Sequence, residues 1–135
     1  MSCSFSVLIL YLRAVLFSFN MGLIPSNKNL AEAEKLIQEA SLLQPDDAAI
    51  TDSLGWVHYI RGNLPKAIEL LERAAMGQPA DSAINEHLGD AYYSAGRRYE
   101  ARYAWRAALV YAEGSAVDRL KVKIDSGLKP ELAAP

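Results

Sequence analysis

The chain has 135 residues with 14 basic and 16 acidic side chains, which is the size of one ordinary domain. Apolar residues make up 51% and charged residues 22%, and these fractions exclude a disordered acidic chain and a disulfide-rich one. The net charge of −2 lacks the basic excess that binds phosphates, so a nucleic-acid partner is not expected. Cys3 is the only cysteine, which excludes an intramolecular disulfide.

Residues 1–27 form an apolar N-terminal segment whose single charged residue is Arg13. The stretch 5–24 is long enough to span a bilayer as a helix. Its Phe, Val, Leu and Ile residues together favour insertion by about 4 to 7 kcal/mol, against a cost of about 3 kcal/mol for Arg13. Three interpretations stay open for this segment: an apolar helix packed on residues 30–43, a membrane helix, and a signal or disordered stretch.

The next part of the chain contains an internal repeat, because Leu54-Gly55 recurs as Leu88-Gly89. Further pairs keep the same offset: Pro45 and Pro79, Ile50 and Ile84, Tyr59 and Tyr93, Gly62 and Gly96, Ala67 and Ala101, Leu71 and Trp105, Ala74 and Ala108. The apolar periodicity within each unit predicts two helices joined by a glycine turn, at about 48–60 and 64–77, and again at about 82–94 and 98–112.

Small residues recur inside the predicted helices where two helices would meet. Glycine in a helix costs about 1 kcal/mol relative to alanine, so Gly55 and Gly89 indicate close helix–helix approach. Leu71 and Trp105 provide the bulky side chains that fill the space beside them.

This spacing of Leu-Gly, aromatic, Gly, Ala, large apolar, Ala and Pro resembles the tetratricopeptide repeat (TPR) family, in particular the C-terminal part of a larger bacterial TPR protein. The resemblance implies an all-α, right-handed superhelical solenoid of TPR helix-turn-helix hairpins. The units are the second half of a partial repeat at 28–47, two repeats at 48–81 and 82–115, a C-terminal capping helix at 116–129 and a tail at 130–135. The capping helix is predicted from Val117, Leu120, Ile124 and Leu128, which share one helical face.

Residues able to carry catalysis are few. The chain has two histidines, and it contains none of the motifs H-E-x-x-H, C-x-x-C, G-x-x-x-x-G-K-[ST] or G-x-S-x-G. His58 stands at a usual tyrosine position and is interpreted as a packed side chain. Glu86 and Asp90 are spaced to share a cation, but a solvated helix face is the favoured interpretation. The sequence therefore predicts no enzyme activity, no metal and no cofactor.

The resemblance points to a binding surface, since the first helix of each TPR repeat lines a concave face that takes a partner segment. Carried over to exposed positions, it implies a groove formed by Asp52, Trp56, Tyr59, Ile60, Glu86, His87, Asp90 and Tyr93. Such a groove is acidic and aromatic, which favours a partner with a basic residue and an apolar anchor. The alternative is that Trp56 and Tyr59 pack against a neighbouring helix or against the N-terminal segment.

The predicted function is a non-catalytic protein–protein interaction module that binds a partner peptide or protein segment in this groove. The alternative is a membrane-anchored assembly scaffold of a bacterial envelope complex, which depends on residues 5–24 and leaves a cytoplasmic or a membrane-associated location open. Self-association through an open end is also expected, because two and a half repeats are close to the lower limit for a stable array.

Overall fold

A computed structural model describes residues 27–134 of the chain. This part forms six α-helices and a short 3-10 turn, with no strand between residues 27 and 134. The helices are α1 (Asn27–Leu43), α2 (Ala48–Ile60), α3 (Leu64–Gly77), α4 (Ser82–Ser94), α5 (Arg98–Val110) and α6 (Ser115–Ser126), and the turn is Pro130–Leu132. The predicted N-terminal segment 1–27 lies outside the described residues except for its last residue.

Consecutive helices pack against each other, so that α2 with α3 and α4 with α5 form two successive hairpins. The predicted helices at about 48–60, 64–77 and 82–94 agree with α2, α3 and α4, and the fourth ends slightly early, at Val110. Such stacking of helix hairpins is an α-solenoid, as the sequence predicted.

The start of each hairpin is fixed by an aspartate. The carboxylates of Asp47 and Asp81 accept hydrogen bonds from the backbone N–H groups of Ile50 and Ile84, at 2.9 and 3.0 Å. A carboxylate at this position satisfies one of the unpaired N–H groups at a helix N-terminus. Equivalent caps, one repeat apart, therefore begin equivalent helices.

Replacing Asp47 with Ala is expected to lower the free energy of unfolding by about 1 kcal/mol, because the N-terminus of α2 loses its cap. Urea denaturation measures the change. Asp46→Ala is the matched control, since Asp46 is exposed and no cap bond involves it. Equal effects of the two variants would contradict the assignment of the cap to Asp47.

The two helices within each hairpin approach closely at a glycine. A Cβ atom at Gly55 would lie 2.9 Å from Cγ of Leu71, and a Cβ atom at Gly89 would overlap the indole ring of Trp105. The turns between the helices use Gly62 and Gly96, with φ angles of 79° and 81°, a conformation that favours glycine. Close helix packing therefore explains Gly55 and Gly89, and the turn conformation explains Gly62 and Gly96.

The apolar core runs the length of the array as a series of clusters between neighbouring helices. Ile37 of α1 packs with Val57, Leu71 packs with Leu88, and Trp105 packs with Leu120 of α6. The predicted capping face is present, since Ile124 and Leu128 also contact this last cluster. The cap is shorter than predicted, because α6 ends at Ser126 and Gly127 follows with a φ of 83°.

None of the helices in residues 27–134 combines the length and the apolar character that crossing a bilayer requires. The predicted span at 5–24 lies outside these residues.

Candidate functional site

All eight predicted groove residues lie on α2 and α4, the first helices of the two hairpins. We call them the α2–α4 surface: Asp52, Trp56, Tyr59 and Ile60 from α2, and Glu86, His87, Asp90 and Tyr93 from α4. The two helices contact each other, so the structure brings these residues onto neighbouring elements. Their exposure differs widely, and it divides the surface into an aromatic part and an acidic part.

The aromatic part is a stack of three rings. The Trp56 ring stacks with the ring of Tyr59, with centroids 4.4 Å apart, and with the ring of His87, with centroids 4.2 Å apart. The His87 Nδ1 atom lies 2.8 Å from a carboxylate oxygen of Asp52, and since a carboxylate only accepts, Nδ1–H is the donor. This bond joins α4 to α2 and fixes the plane of the imidazole against the indole.

Two residues extend the aromatic part towards the C-terminal ends of the helices. The hydroxyl of Tyr59 lies 3.1 Å from the hydroxyl of Ser94, and burial raises the pKa of the Tyr59 phenol. Ile60 is 40% exposed at the last position of α2. The aromatic part thus ends in an accessible apolar side chain beside a half-buried tyrosine.

The acidic part of the surface, Glu86 and Asp90, is covered by the C-terminal capping helix α6. The Glu86 carboxylate accepts two hydrogen bonds from the Arg119 guanidinium, at 2.7 and 2.8 Å, and a third from Lys123 Nζ at 2.7 Å. Arg119 and Lys123 are four residues apart on α6 and therefore point the same way. Arg119 and Lys123 of α6 therefore occupy this part of the surface.

Asp90 is fully buried and bonded on several sides. It accepts hydrogen bonds from Lys123 Nζ at 2.8 and 3.0 Å, from Trp105 Nε1 at 2.9 Å and from the backbone N–H of Ala134 at 2.9 Å. The C-terminal segment beyond α6 therefore also closes over α4.

The two carboxyl groups respond differently to this environment. Burial alone would raise the pKa of Glu86, but the hydrogen bonds from Arg119 and Lys123 hold that pKa below its usual value. At Asp90 burial dominates and raises the pKa, although Lys123, Ala134 and Trp105 all favour the carboxylate. The two pKa shifts differ in sign because two cations hydrogen-bond to Glu86, whereas only one, Lys123, bonds to Asp90, which is also more deeply buried.

The predicted exposure of the groove residues is wrong at four positions. Glu86 and Asp90 are buried beneath α6 and the C-terminal segment, and Asp52 and Trp56 are buried in contact with His87 of α4. The alternative expectation, that the aromatic side chains pack against a neighbouring helix, holds for Trp56, which packs against His87 of α4. Tyr59 and His87 are half-buried and Ile60 is exposed.

The eighth predicted residue, Tyr93, is half-buried against Trp105, with ring centroids 5.5 Å apart. Its ring also contacts Gly127, where a Cβ atom would overlap the tyrosine. Tyr93 therefore packs against Trp105 and the end of the capping helix rather than against the aromatic stack.

The sequence interpretation missed Arg119, Lys123 and Ala134 as parts of this surface. The signal for the first two was their spacing of four residues beside the predicted core positions Leu120 and Ile124. Lys123 itself is fully buried, which is unusual for a lysine. Nothing in the local sequence marked the tail as a partner of α4.

The basic residues of α5, and Arg97 just before the helix, are partly engaged within the fold. Arg97 pairs with Glu100 at 3.1 Å, and Arg102 donates to the backbone carbonyl of Ile124 at 3.2 Å. Arg98 lies over the Tyr93 ring at 5.1 Å. Within residues 27–134, no group of three His, Cys, Asp or Glu side chains is placed to hold a metal ion.

No protein-family model matches the chain, and no curated protein matches it. Among solved structures, the chain is similar to a mutant of the O-GlcNAc transferase of Thermobaculum terrenum, with a TM-score of 0.76 and 19% sequence identity. The likeness covers 94% of this chain and 22% of that chain. At this identity the likeness shows the fold alone, which is a TPR-like helical-repeat solenoid.

Proposed function

We propose that the chain is a non-catalytic protein-interaction module that binds a segment of a partner protein on the aromatic part of the α2–α4 surface. The observation that carries this proposal is the exposed Ile60 next to the half-buried Tyr59, whose ring is held in place by stacking on the buried Trp56. Large rings held in one geometry lose little entropy on binding, which makes them effective anchors.

The chemistry of the partner follows from what the surface already accepts within the chain. On its acidic part, α4 holds a helix that brings two cations, Arg119 and Lys123, and an apolar side chain between them, Leu120. On the aromatic part, an apolar side chain of the partner would contact Ile60, and a basic one would stack on the Tyr59 ring as a cation–π pair. A segment with one basic and one apolar residue therefore fits best.

Site-specific photo-crosslinking tests the location of the site. A benzophenone side chain replaces Ile60 in the full chain, and Val122 on α6, which is exposed to a similar degree, carries it in the control. We expect one discrete partner segment to crosslink from position 60 and not from position 122. Crosslinking from both positions alike, or from neither, would contradict the proposed site.

Binding of the crosslinked segment, made as a synthetic peptide, tests the anchors. Tyr59→Ala and Ile60→Asp are each expected to weaken binding about tenfold or more, because contacts at the centre of an interface carry most of its energy. Val122→Asp is the control, and isothermal titration calorimetry is the measurement. Affinities within twofold of the unchanged chain for both variants would overturn the proposal.

A further inference from the structure

The helix α5 presents a stripe of exposed side chains on the side opposite its buried residues. Tyr99, Tyr103 and Val110 are 77%, 64% and 72% exposed. Arg106 lies between the last two and is exposed as well. Their spacing of three or four residues places all four on one face of the helix. We call these four residues the α5 outer face.

The two tyrosines form a pair across one turn of the helix. Their ring centroids are 6.0 Å apart and the ring planes are inclined by 42°. Tilted aromatic pairs are favourable, so each ring restricts the other while most of its surface stays in solvent. The pair therefore offers an ordered apolar area of the kind that anchors a partner protein.

The repeat supplies a comparison for this face within the same chain. One and two repeats before Tyr99 and Tyr103, the equivalent positions are exposed and none is aromatic: Pro65 and Glu69 in α3, and Ala31 and Lys35 in α1. The earlier units therefore stack without aromatic side chains at these positions. Packing of the solenoid does not explain the tyrosine pair, whereas an interaction surface does.

The charge of the α5 outer face is positive. The helix holds three arginines and one carboxylate, Glu100, which pairs with Arg97 at 3.1 Å. No carboxylate of residues 27–134 forms an ion pair with Arg106. The next acidic residue of the chain, Glu113, lies beyond the C-terminal end of the helix. An acidic partner is therefore attracted to this face and a basic partner is repelled.

The number of available cations favours a protein over a nucleic acid as the partner. Single-stranded nucleic acids are held by several cations that follow the backbone. Arg98 already lies over the Tyr93 ring at 5.1 Å, and Arg102 donates to the backbone carbonyl of Ile124 at 3.2 Å. Within the described residues, Arg106 is the arginine of α5 that has no such contact. One available cation in an apolar face fits one carboxylate of a protein.

We propose that the α5 outer face binds an acidic amphipathic helix of a partner protein. Apolar side chains of that helix contact Tyr99, Tyr103 and Val110, and a carboxylate accepts hydrogen bonds from the Arg106 guanidinium. Tyr99 and Val110 are eleven residues apart, about 16 Å along the axis, so a partner helix of about three turns spans the face. The face shares no residue with the α2–α4 surface, so a chain that uses both surfaces joins two partners.

Fluorescence anisotropy with two synthetic helical peptides tests this proposal. Both peptides have about four turns and the same stripe of leucines, flanked by glutamates in one and by lysines in the other. The full chain carries Ile60→Asp, which removes the apolar anchor of the α2–α4 surface, and is compared with the unchanged chain. Into this background we place Tyr99→Ser with Tyr103→Ser, or Arg106→Glu. Lys35→Glu, at an exposed position of α1, is the matched control for the change of charge.

In the Ile60→Asp chain we expect the glutamate peptide to bind at least tenfold more tightly than the lysine peptide, and less tightly as sodium chloride is raised. Its affinity should match that for the unchanged chain. The tyrosine double variant and Arg106→Glu should each weaken its binding about tenfold, and Arg106→Glu should strengthen binding of the lysine peptide. Lys35→Glu should change both affinities by less than twofold. Circular dichroism checks that each variant is folded, as expected for exposed positions.

Three results would overturn the proposal. The first is a glutamate peptide that does not bind, or that binds no better than the lysine peptide. The second is binding of the glutamate peptide that depends on Ile60 and not on the tyrosine pair. The third is a single-stranded oligonucleotide that binds the same chain more tightly than the glutamate peptide does.

Discussion

Replacing Lys123 with Met is expected to lower the free energy of unfolding by about 3–5 kcal/mol, the cost of removing one partner from a buried ion pair. Lys123 is fully buried and donates to both Glu86 and Asp90. Methionine matches its apolar stem but leaves Asp90 buried with no cation within hydrogen-bonding distance. Urea denaturation at neutral pH measures the loss.

Two further variants separate the missing charge from damage to packing. In the double variant Lys123→Met with Asp90→Asn, the unpaired charge is gone, so we expect a smaller loss than in Lys123→Met alone. Lys121→Met, at an exposed position of the same helix, should change stability by less than about 0.5 kcal/mol. Equal losses for Lys121→Met and Lys123→Met would contradict the role given to the buried pair.

Acidification gives an independent test of the same pair. Burial already raises the folded-state pKa of Asp90, and removing Lys123 takes away the cation that lowers it. A carboxyl whose folded pKa exceeds its unfolded value destabilises the fold above that unfolded value, and the penalty fades as pH falls through the folded pKa. The deficit of Lys123→Met relative to the unchanged chain should therefore shrink on acidification. A deficit that is constant with pH would contradict an unpaired Asp90.

Replacing Gly89 with Ala is expected to lower the free energy of unfolding by about 1–3 kcal/mol, the usual cost of overpacking a core. The new methyl group would overlap the Trp105 indole. That ring is fully buried and bonded through Nε1 to Asp90 at 2.9 Å, so it cannot turn away without breaking the bond. The loss exceeds the gain of about 1 kcal/mol that alanine brings inside a helix.

Gly55→Ala is the matched control at the equivalent position of the other hairpin. There the new methyl group would meet Cγ of Leu71 at 2.9 Å and Cβ of Leu70 at 3.2 Å, which are tight contacts but less severe than the overlap with the Trp105 ring. We expect this variant to lose clearly less stability than Gly89→Ala in thermal and urea denaturation. A larger loss at Gly55 would contradict the view that the severity of the overlap with the opposing side chain decides the cost.

The sequence by itself determined the periodic part of the architecture. The constant offset between repeats placed Gly55 and Gly89 at helix contacts, and the structure confirms that Leu71 and Trp105 lie opposite them. It also located α2, α3 and α4, because apolar spacing and glycine turns are both local signals. The apolar side of the cap followed from the same logic, since Leu120 and Ile124 share one helical face.

Only the tertiary structure decided which side chains of α2 and α4 remain accessible. Glu86 and Asp90 are occupied by groups much further along the chain, in Arg119, Lys123 and Ala134. Those pairings depend on how α6 docks across α4, which the repeat pattern does not encode. Helical phase alone shows that Lys123 adjoins the apolar side of the cap, but its burial follows from two carboxylates on another helix. Charge is read locally from a sequence, whereas the burial of a charge depends on partners that only the folded chain brings together.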